Sequence, residues 1–334
     1  MRSKIAAISS YLPSGVLTNE IINSQFPEWS ADKISSKTGI YERRISGSEE
    51  TVSNMAIEAA ERLFETHKFP KEEIDFVLLC TQSPDYFLPT TACIVQNCLG
   101  LSTNCGALDF NLGCSGYVYG LALANGLIVA GSARSVLLIT SETYTKYIHD
   151  QDKSNRTIFG DAAAATLITA SDNVDGVGKF VFGTDGAGSE NLIVKNGGSK
   201  HVDKLGEDIF EDGDFIRNDN NLFMNGQEIF QFTTRSVPIL IQDVLKENNL
   251  HIDDIDLFVF HQANKFMLDY IRRKIKIPEE KFFVFFENIG NTVSSTIPIA
   301  MEHAIKTNVI KKGMKVLLAG FGVGYSYAAT VIDF

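Results

Sequence analysis

The sequence predicts a layered α/β protein made of two similar halves, and three observations predict it. Short apolar runs, β-branched or aromatic and bounded by turn residues, alternate with helix-like stretches. Such runs suit strands covered on both faces, and so mostly parallel sheets. The chain also echoes itself. Lys71–Cys80 resembles Ile252–His261, and Ser135–Ile139 resembles Lys315–Ala319, at offsets of 181 and 180 residues. Finally, 334 residues exceed the span of one simple core. The halves are expected at residues 1–172 and 173–334.

The elements follow in order. Met1–Ile8 reads as a first strand. A helix around Asn54–His67 precedes a buried strand at Phe76–Cys80, and the echo places a helix around Val237–Asn248 before a strand at Leu257–His261. Shifting Cys114 by the same offset lands on Ser294 or Ser295, at the start of a helix over Thr296–Lys306. Cys114 is therefore expected to start the matching helix of the first half, with the two helices packed near a pseudo-twofold axis. Gly116, Gly120, Ala122, Ala124 and Gly126 fit that place, because glycine costs helix stability unless close packing requires it. The polar stretch Lys195–Asn221, rich in Gly, Asp and Asn, reads as a surface insertion.

Composition excludes several classes. Apolar residues make up 44% and charged residues 21%, as in ordinary globular proteins. A net charge of −11 disfavours general binding to nucleic acid or an anionic membrane. No apolar run approaches the length of a membrane span, and no signal peptide is legible, so a cytoplasmic location is expected. The cysteines, Cys80, Cys93, Cys98, Cys105 and Cys114, are odd in number and clustered, which argues against a disulfide framework. Their spacings form no close Cys-x-x-Cys pair, so no metal is expected.

Cys114 is the candidate nucleophile. It sits in Asn111-Leu112-Gly113-Cys114-Ser115-Gly116-Tyr117, where a helix N-terminus would lower its pKa below the ordinary value of about 8.5. His261-Gln262-Ala263-Asn264 closes one apolar run, and Asn288-Ile289-Gly290-Asn291-Thr292 precedes a helix. A Cys, a His and an Asn on strand ends and helix starts supply a nucleophile and charge-stabilising donors, provided that they meet.

These residues resemble the β-ketoacyl-acyl-carrier-protein synthase III family of the thiolase superfamily. The motifs run the whole length: Lys37–Arg44, Gly113–Gly116, Phe159–Ala164, His261–Asn264, Gly290–Thr292 and Gly320–Gly324. The resemblance implies a thiolase-like fold in an αβαβα arrangement, a homodimer, and a decarboxylative Claisen condensation. Cys114 would take an acyl group from a thioester, and His261 and Asn291 would stabilise the enolate of malonyl-acyl carrier protein. The backbone N–H groups of Cys114 and Val323 would form a separate oxyanion hole. The substrate is a thioester of coenzyme A or of acyl carrier protein, and no metal or organic cofactor is implied. Phe159, Tyr144 and Leu88 match acyl-pocket positions, with Leu88 reaching across the dimer. Ala263 lies beside the catalytic set, Asn264 matches a residue that fixes the His and the substrate, and Gly226 matches a point where the pantetheine arm passes.

The chain also departs from the family pattern. Lys33, Lys37 and Lys153 stand where a Trp and two Arg clamp coenzyme A. Lys keeps the charge but loses planar stacking and the bidentate fork. The starter carrier is thus left open between coenzyme A and a carrier protein. Phe266 replaces a docking arginine, and Arg272, Arg273 and Lys274 on the following helix are the expected dock for an acidic carrier protein. Val323 stands where a third glycine is usual. Two other readings are a Cys-dependent acyltransferase without decarboxylation and a non-catalytic carrier-binding scaffold.

Overall fold

The computed structural model describes residues 2–171 and 176–334, so the expected boundary between 172 and 173 lies outside the described residues. In chain order the first part holds β1 (Arg2–Tyr11), β2 (Gly15–Thr18), α1 (Asn19–Gln25), α2 (Ala31–Thr38), β3 (Glu42–Ile45) and α3 (Val52–His67). It continues with β4 (Phe76–Cys80), α4 (Thr91–Cys98), β5 (Gly106–Phe110), α5 (Gly116–Val129), β6 (Ser135–Glu142), α6 (Lys153–Arg156) and β7 (Ala162–Ser171). The second part opens with β8 (Val177–Thr184), β9 (Leu192–Val194), β10 (Ile209–Glu211), β11 (Asp214–Arg217) and β12 (Leu222–Met224). Then come α7 (Gly226–Glu247), β13 (Leu257–Phe260), α8 (Lys265–Ile275), α9 (Thr296–Lys306), β14 (Lys315–Gly322) and β15 (Ser326–Asp333).

Two sheets form the frame, one in the order β1-β7-β6-β4-β5 and the other β13-β14-β15-β8. The expectation of mostly parallel sheets is corrected. Only β4–β5, β4–β6 and β13–β14 are parallel, while β1–β7, β6–β7, β14–β15 and β15–β8 are antiparallel. Parallel pairs need a helical crossover, which α4, α5 and the α8–α9 segment supply. A turn as short as the one between Gly322 and Ser326 can only return antiparallel.

Alternate residues of the same strands face different cores. Val77, Leu79, Leu137 and Ile139 pack with α3 and α4, whereas Leu78, Val136 and Leu138 pack with α5 and α9. Leu257, Val259, Val316 and Leu318 join that same central core. Phe258, Phe260, Leu317 and Phe321 point to the other side, against α7 and α8. The layers are therefore α3–α4, sheet, α5–α9, sheet, α7–α8, which is the αβαβα arrangement.

Local chemistry explains the helices. The capping box Thr51–Asn54 starts α3. The second half's helix begins at Gly226, well before the expected Val237, and holds Pro238 in its interior. Proline removes an N–H, which frees the carbonyl four residues earlier. Here that carbonyl, of Thr234, accepts from Lys274 Nζ at 2.8 Å, so α7 passes through its proline intact. On α5, an added Cβ would meet Cys80 Sγ at 2.3 Å from Gly116 and Leu138 at 2.5 Å from Gly120, so both glycines are close-packing positions. Gly126 is not, since its Cβ would meet nothing within 4 Å.

Candidate active site

Cys114 lies in the turn between β5 and α5, 6% exposed, with the strand β14 pressed against it. A Cβ on Gly320 would stand 2.7 Å from the Cys114 carbonyl oxygen, and one on Gly322 would stand 2.8 Å from Cys114 Cβ and Sγ. Those two glycines let the second half's strand lie on the first half's turn. The Ser115 and Ser326 hydroxyls, 2.6 Å apart, tie the same contact. The N–H groups of Val323 and Cys114 both act on the thiol and favour its anion. Val323 is absent from the residues with positive φ, so a β-branched side chain is tolerated where a glycine was the family norm.

The expected lowering of the Cys114 pKa is corrected. Burial pushes the thiol up to about 12, outweighing the Val323 and Cys114 N–H groups, and Glu142, when ionised, adds to the rise. The helix proper starts only at Gly116, whose N–H is already spent on the Gly113 carbonyl at 2.8 Å. The dipole is thus a weak term here, and desolvation wins.

His261 follows β13, and its N–H donates to the Ala319 carbonyl at 2.8 Å. Its Nδ1 is 2.8 Å from Thr296 Oγ1, and the Phe321 ring stands edge-on to the imidazole at 5.8 Å. Burial lowers the imidazole to about 3, so it is neutral at pH 7. Asn291 is held by its backbone: its N–H donates to Ile158 and its carbonyl accepts from Gly160, at 2.9 and 3.0 Å. Its Oδ1 accepts from the Val293 N–H at 2.9 Å, which turns Nδ2 toward His261 Nε2 at 3.4 Å. Val293 has φ 55°, a rare left-handed conformation for a β-branched residue, right beside this donor.

Cys114, His261 and Asn291 line one cavity of about 120 Å³, together with Phe159, Gly226, Ala263 and Asn264. Asn264 also lines a wider surface groove of about 980 Å³ with Lys37, Phe266, Arg273 and Lys274. Its Oδ1 caps α8 by accepting from the Met267 N–H at 3.0 Å, so that oxygen is committed to the helix. Leu192 lines both the catalytic cavity and a third space of about 750 Å³, walled by Tyr144, Tyr147, Phe87 and the start of the 195–221 segment. Phe159 packs on Tyr144 with ring centroids 5.1 Å apart.

Other expected residues stand elsewhere. Leu88 is 82% exposed and lines none of these cavities. Lys153 is engaged by Glu28 and by Asp214 of the β10–β11 hairpin, the latter at 2.8 Å. The 195–221 segment thus supplies one of this cation's two partners. Arg272 turns away to the Ile277 carbonyl and Glu279. Lys274 reaches the groove but is tied to Thr234. Arg273 and Lys274 are exposed, whereas Arg272 is half-buried.

Sequence reasoning missed the supports. Arg43, fully buried, bonds Asn19 and the Thr157 carbonyl, and its side chain packs under Gly290. Asp161 accepts from the N–H and hydroxyl groups of both Ser46 and Thr145. The motifs Lys37–Arg44 and Phe159–Ala164 contained both residues; Asp161 was the single charge in its motif, whereas nothing set Arg43 apart from Lys37, Glu42 and Arg44 beside it.

Comparison with known proteins agrees with this geometry. Residues 108–186 match the model of 3-oxoacyl-(acyl-carrier-protein) synthase III, and residues 245–334 match that of its C-terminal part. A β-ketoacyl-(acyl-carrier-protein) synthase III of Clostridium perfringens is 35% identical over 99% of this chain and 98% of the relative. The chain belongs to the 3-oxoacyl-(acyl-carrier-protein) synthase III family. A crystal structure of a 3-oxoacyl-(acyl-carrier-protein) synthase III superposes with a TM-score of 0.98 at 48% identity, covering 100% of both chains. The Thermus thermophilus synthase III gives 0.89 at 33% identity, covering 99% of both. These are condensing enzymes of thiolase fold, and no helix among the described residues of this chain is long and apolar enough to cross a membrane.

Proposed function

We propose that this chain condenses a Cys-bound acyl starter with malonyl-acyl carrier protein, releasing carbon dioxide. The observation that carries the reading is the meeting of Cys114, His261 and Asn291 in one small cavity that shares Asn264 with a basic groove. In the first stage Cys114 Sγ attacks a thioester carbonyl and loses its proton as the S–C bond forms. The oxyanion is held by the N–H groups of Cys114 and Val323, and the carrier leaves as its thiol. In the second stage the malonyl thioester loses carbon dioxide, and its enolate oxygen accepts from Asn291 Nδ2 and His261 Nε2. The resulting carbanion attacks the acyl carbon. A C–C bond forms, the S–C bond breaks, and the Cys114 thiolate leaving it takes a proton from solvent to restore the thiol. No step calls on a cofactor.

The starter chain would occupy the space bounded by Tyr144, Tyr147 and Phe87, beyond Leu192. Lys37, Lys265 and Arg273 around Phe266 suit an acidic carrier protein, in a chain that is otherwise acidic. A homodimer is supported by β5, an edge strand with Leu108 44% exposed, and by the bare Tyr86-Phe87-Leu88 loop. A cytoplasmic location follows from the substrates. Intact-mass spectrometry after incubation with acyl-coenzyme A and acyl-carrier donors tests the reading. An adduct lost in Cys114→Ala, followed by carbon dioxide release from malonyl-carrier protein, is expected. Acyl transfer to another acceptor without that release would make the chain a simple acyltransferase, and no adduct with any donor would leave a binding scaffold.

A further inference from the structure

The reaction outlined above makes no use of Glu142, yet this side chain is fully buried at the end of β6. Its Oε2 faces the Gln82 N–H at 3.0 Å and Ser83 Oγ at 3.1 Å, both in the loop that follows β4. Its Oε1 faces Ser294 Oγ at 2.9 Å, three residues beyond Asn291 in the other half. Gln82 in turn packs its Oε1 against Gly113, beside the nucleophile. One carboxyl group therefore bridges both halves directly beneath the reacting thiol.

Every titratable group facing it is itself an acid: Cys80 on β4, Cys114, Tyr144 and Tyr147 after β6, and Asp161 before β7. His261, across the cavity, is neutral. Among the described residues no lysine, arginine or histidine forms an ion pair with Glu142. A buried carboxylate with no cation is expensive, and it repels any thiolate or enolate made nearby.

We propose that Glu142 is a positioning residue that works as its neutral acid, bracing the two halves beneath Cys114, and that its ionisation holds the Cys114 thiol back. In the neutral form the carboxyl proton is donated to Ser294 Oγ, and the other oxygen keeps the Gln82 and Ser83 donors. Burial supports this reading: it pushes Glu142 up to about 8 even though three donors favour the anion.

Alkylation of Cys114 by iodoacetamide, followed peptide by peptide by mass spectrometry from pH 6.5 to 9.5, tests this without any acyl donor. Its failure is therefore separate from a failure of the condensing reading. A lone thiol speeds up about tenfold per pH unit below its pKa. In the wild-type protein the rise at Cys114 should flatten around pH 8. In Glu142→Gln the rate should match wild type at pH 6.5 and exceed it about three- to tenfold at pH 9. A ratio that stays constant with pH would overturn the proposal. So would slower alkylation of Glu142→Gln at pH 6.5, because the anion would then be a helper. If the amide variant does not fold, the wild-type profile decides alone: an unbroken tenfold rise per unit through pH 8 overturns the inference.

Discussion

Replacing Gly322 by alanine adds one methyl group against Cys114, the proposed nucleophile. The new Cβ would sit 2.8 Å from both Cβ and Sγ of Cys114, at least about 0.6 Å inside the 3.4 Å of ordinary contact. Gly322 does not occupy the left-handed region, so alanine carries no torsional penalty there. The strain must be taken up by the Cys114 turn or by β14, whose register is pinned by the Gly322–Ser326 pair. A misplacement of about 1 Å costs on the order of 100-fold in rate, so a shift of about 0.6 Å should slow acylation about 10- to 100-fold, or about 1.4–2.7 kcal/mol. Overpacking should also cost about 1–3 kcal/mol of stability. The assay is single-turnover acylation read by intact mass, alongside a thermal melt. Acylation within twofold of wild type, in a variant that melts normally, would refute the idea that the glycine strand positions the thiol.

Arg273→Glu should raise KM for malonyl-carrier protein about tenfold while leaving turnover of a small malonyl thioester unchanged, as steady-state kinetics with both substrates would show. Lys274→Met leaves the Thr234 carbonyl without its donor and should destabilise the fold by about 1 kcal/mol in chemical denaturation. Stability should depend on pH in two opposite ways. Glu142 is raised from 4.5 to about 8, so its contribution falls as pH rises through that window, and Glu142→Gln should gain on wild type from pH 5 to pH 8.5. His261 is lowered from 6.5 to about 3, so the folded state loses stability as pH falls below about 6.5, a loss that His261→Gln should remove in the same melts. Gly126→Ala, in open space on α5, should stabilise by about 0.5–1 kcal/mol.

The layered fold and the meeting of Cys114, His261 and Asn291 were legible because they rest on periodicity, on an internal echo and on ordered motifs. Strand direction was not. The apolar runs of β6 and β7 read alike whether the chain crosses over or turns back, and only the connections decide. The start of α7 was placed too late, and the cost of Pro238 in its interior is offset by a lysine distant in sequence. The thiol's protonation was misjudged because a helix start is visible in sequence, whereas the burial that dominates it is a property of the packed site. The pairing of Lys153 with Asp214 was not legible, since it depends on where the β10–β11 hairpin folds. Glu142 had one signal, a carboxyl closing the buried run Val136–Ser141, and nothing in sequence told which partners it meets.

The proposed oxyanion donors Cys114 and Val323 come from opposite halves of the chain, as do the proposed nucleophile and its His–Asn partners. Neither half owns a reactive site. During refolding, helices and sheets can form within each half without producing any chemistry, and reactivity arises only when β14 settles on the Cys114 turn. The appearance of an acyl adduct is therefore a clock for that last docking event, readable at a single sulfur atom while spectroscopic probes report the earlier steps.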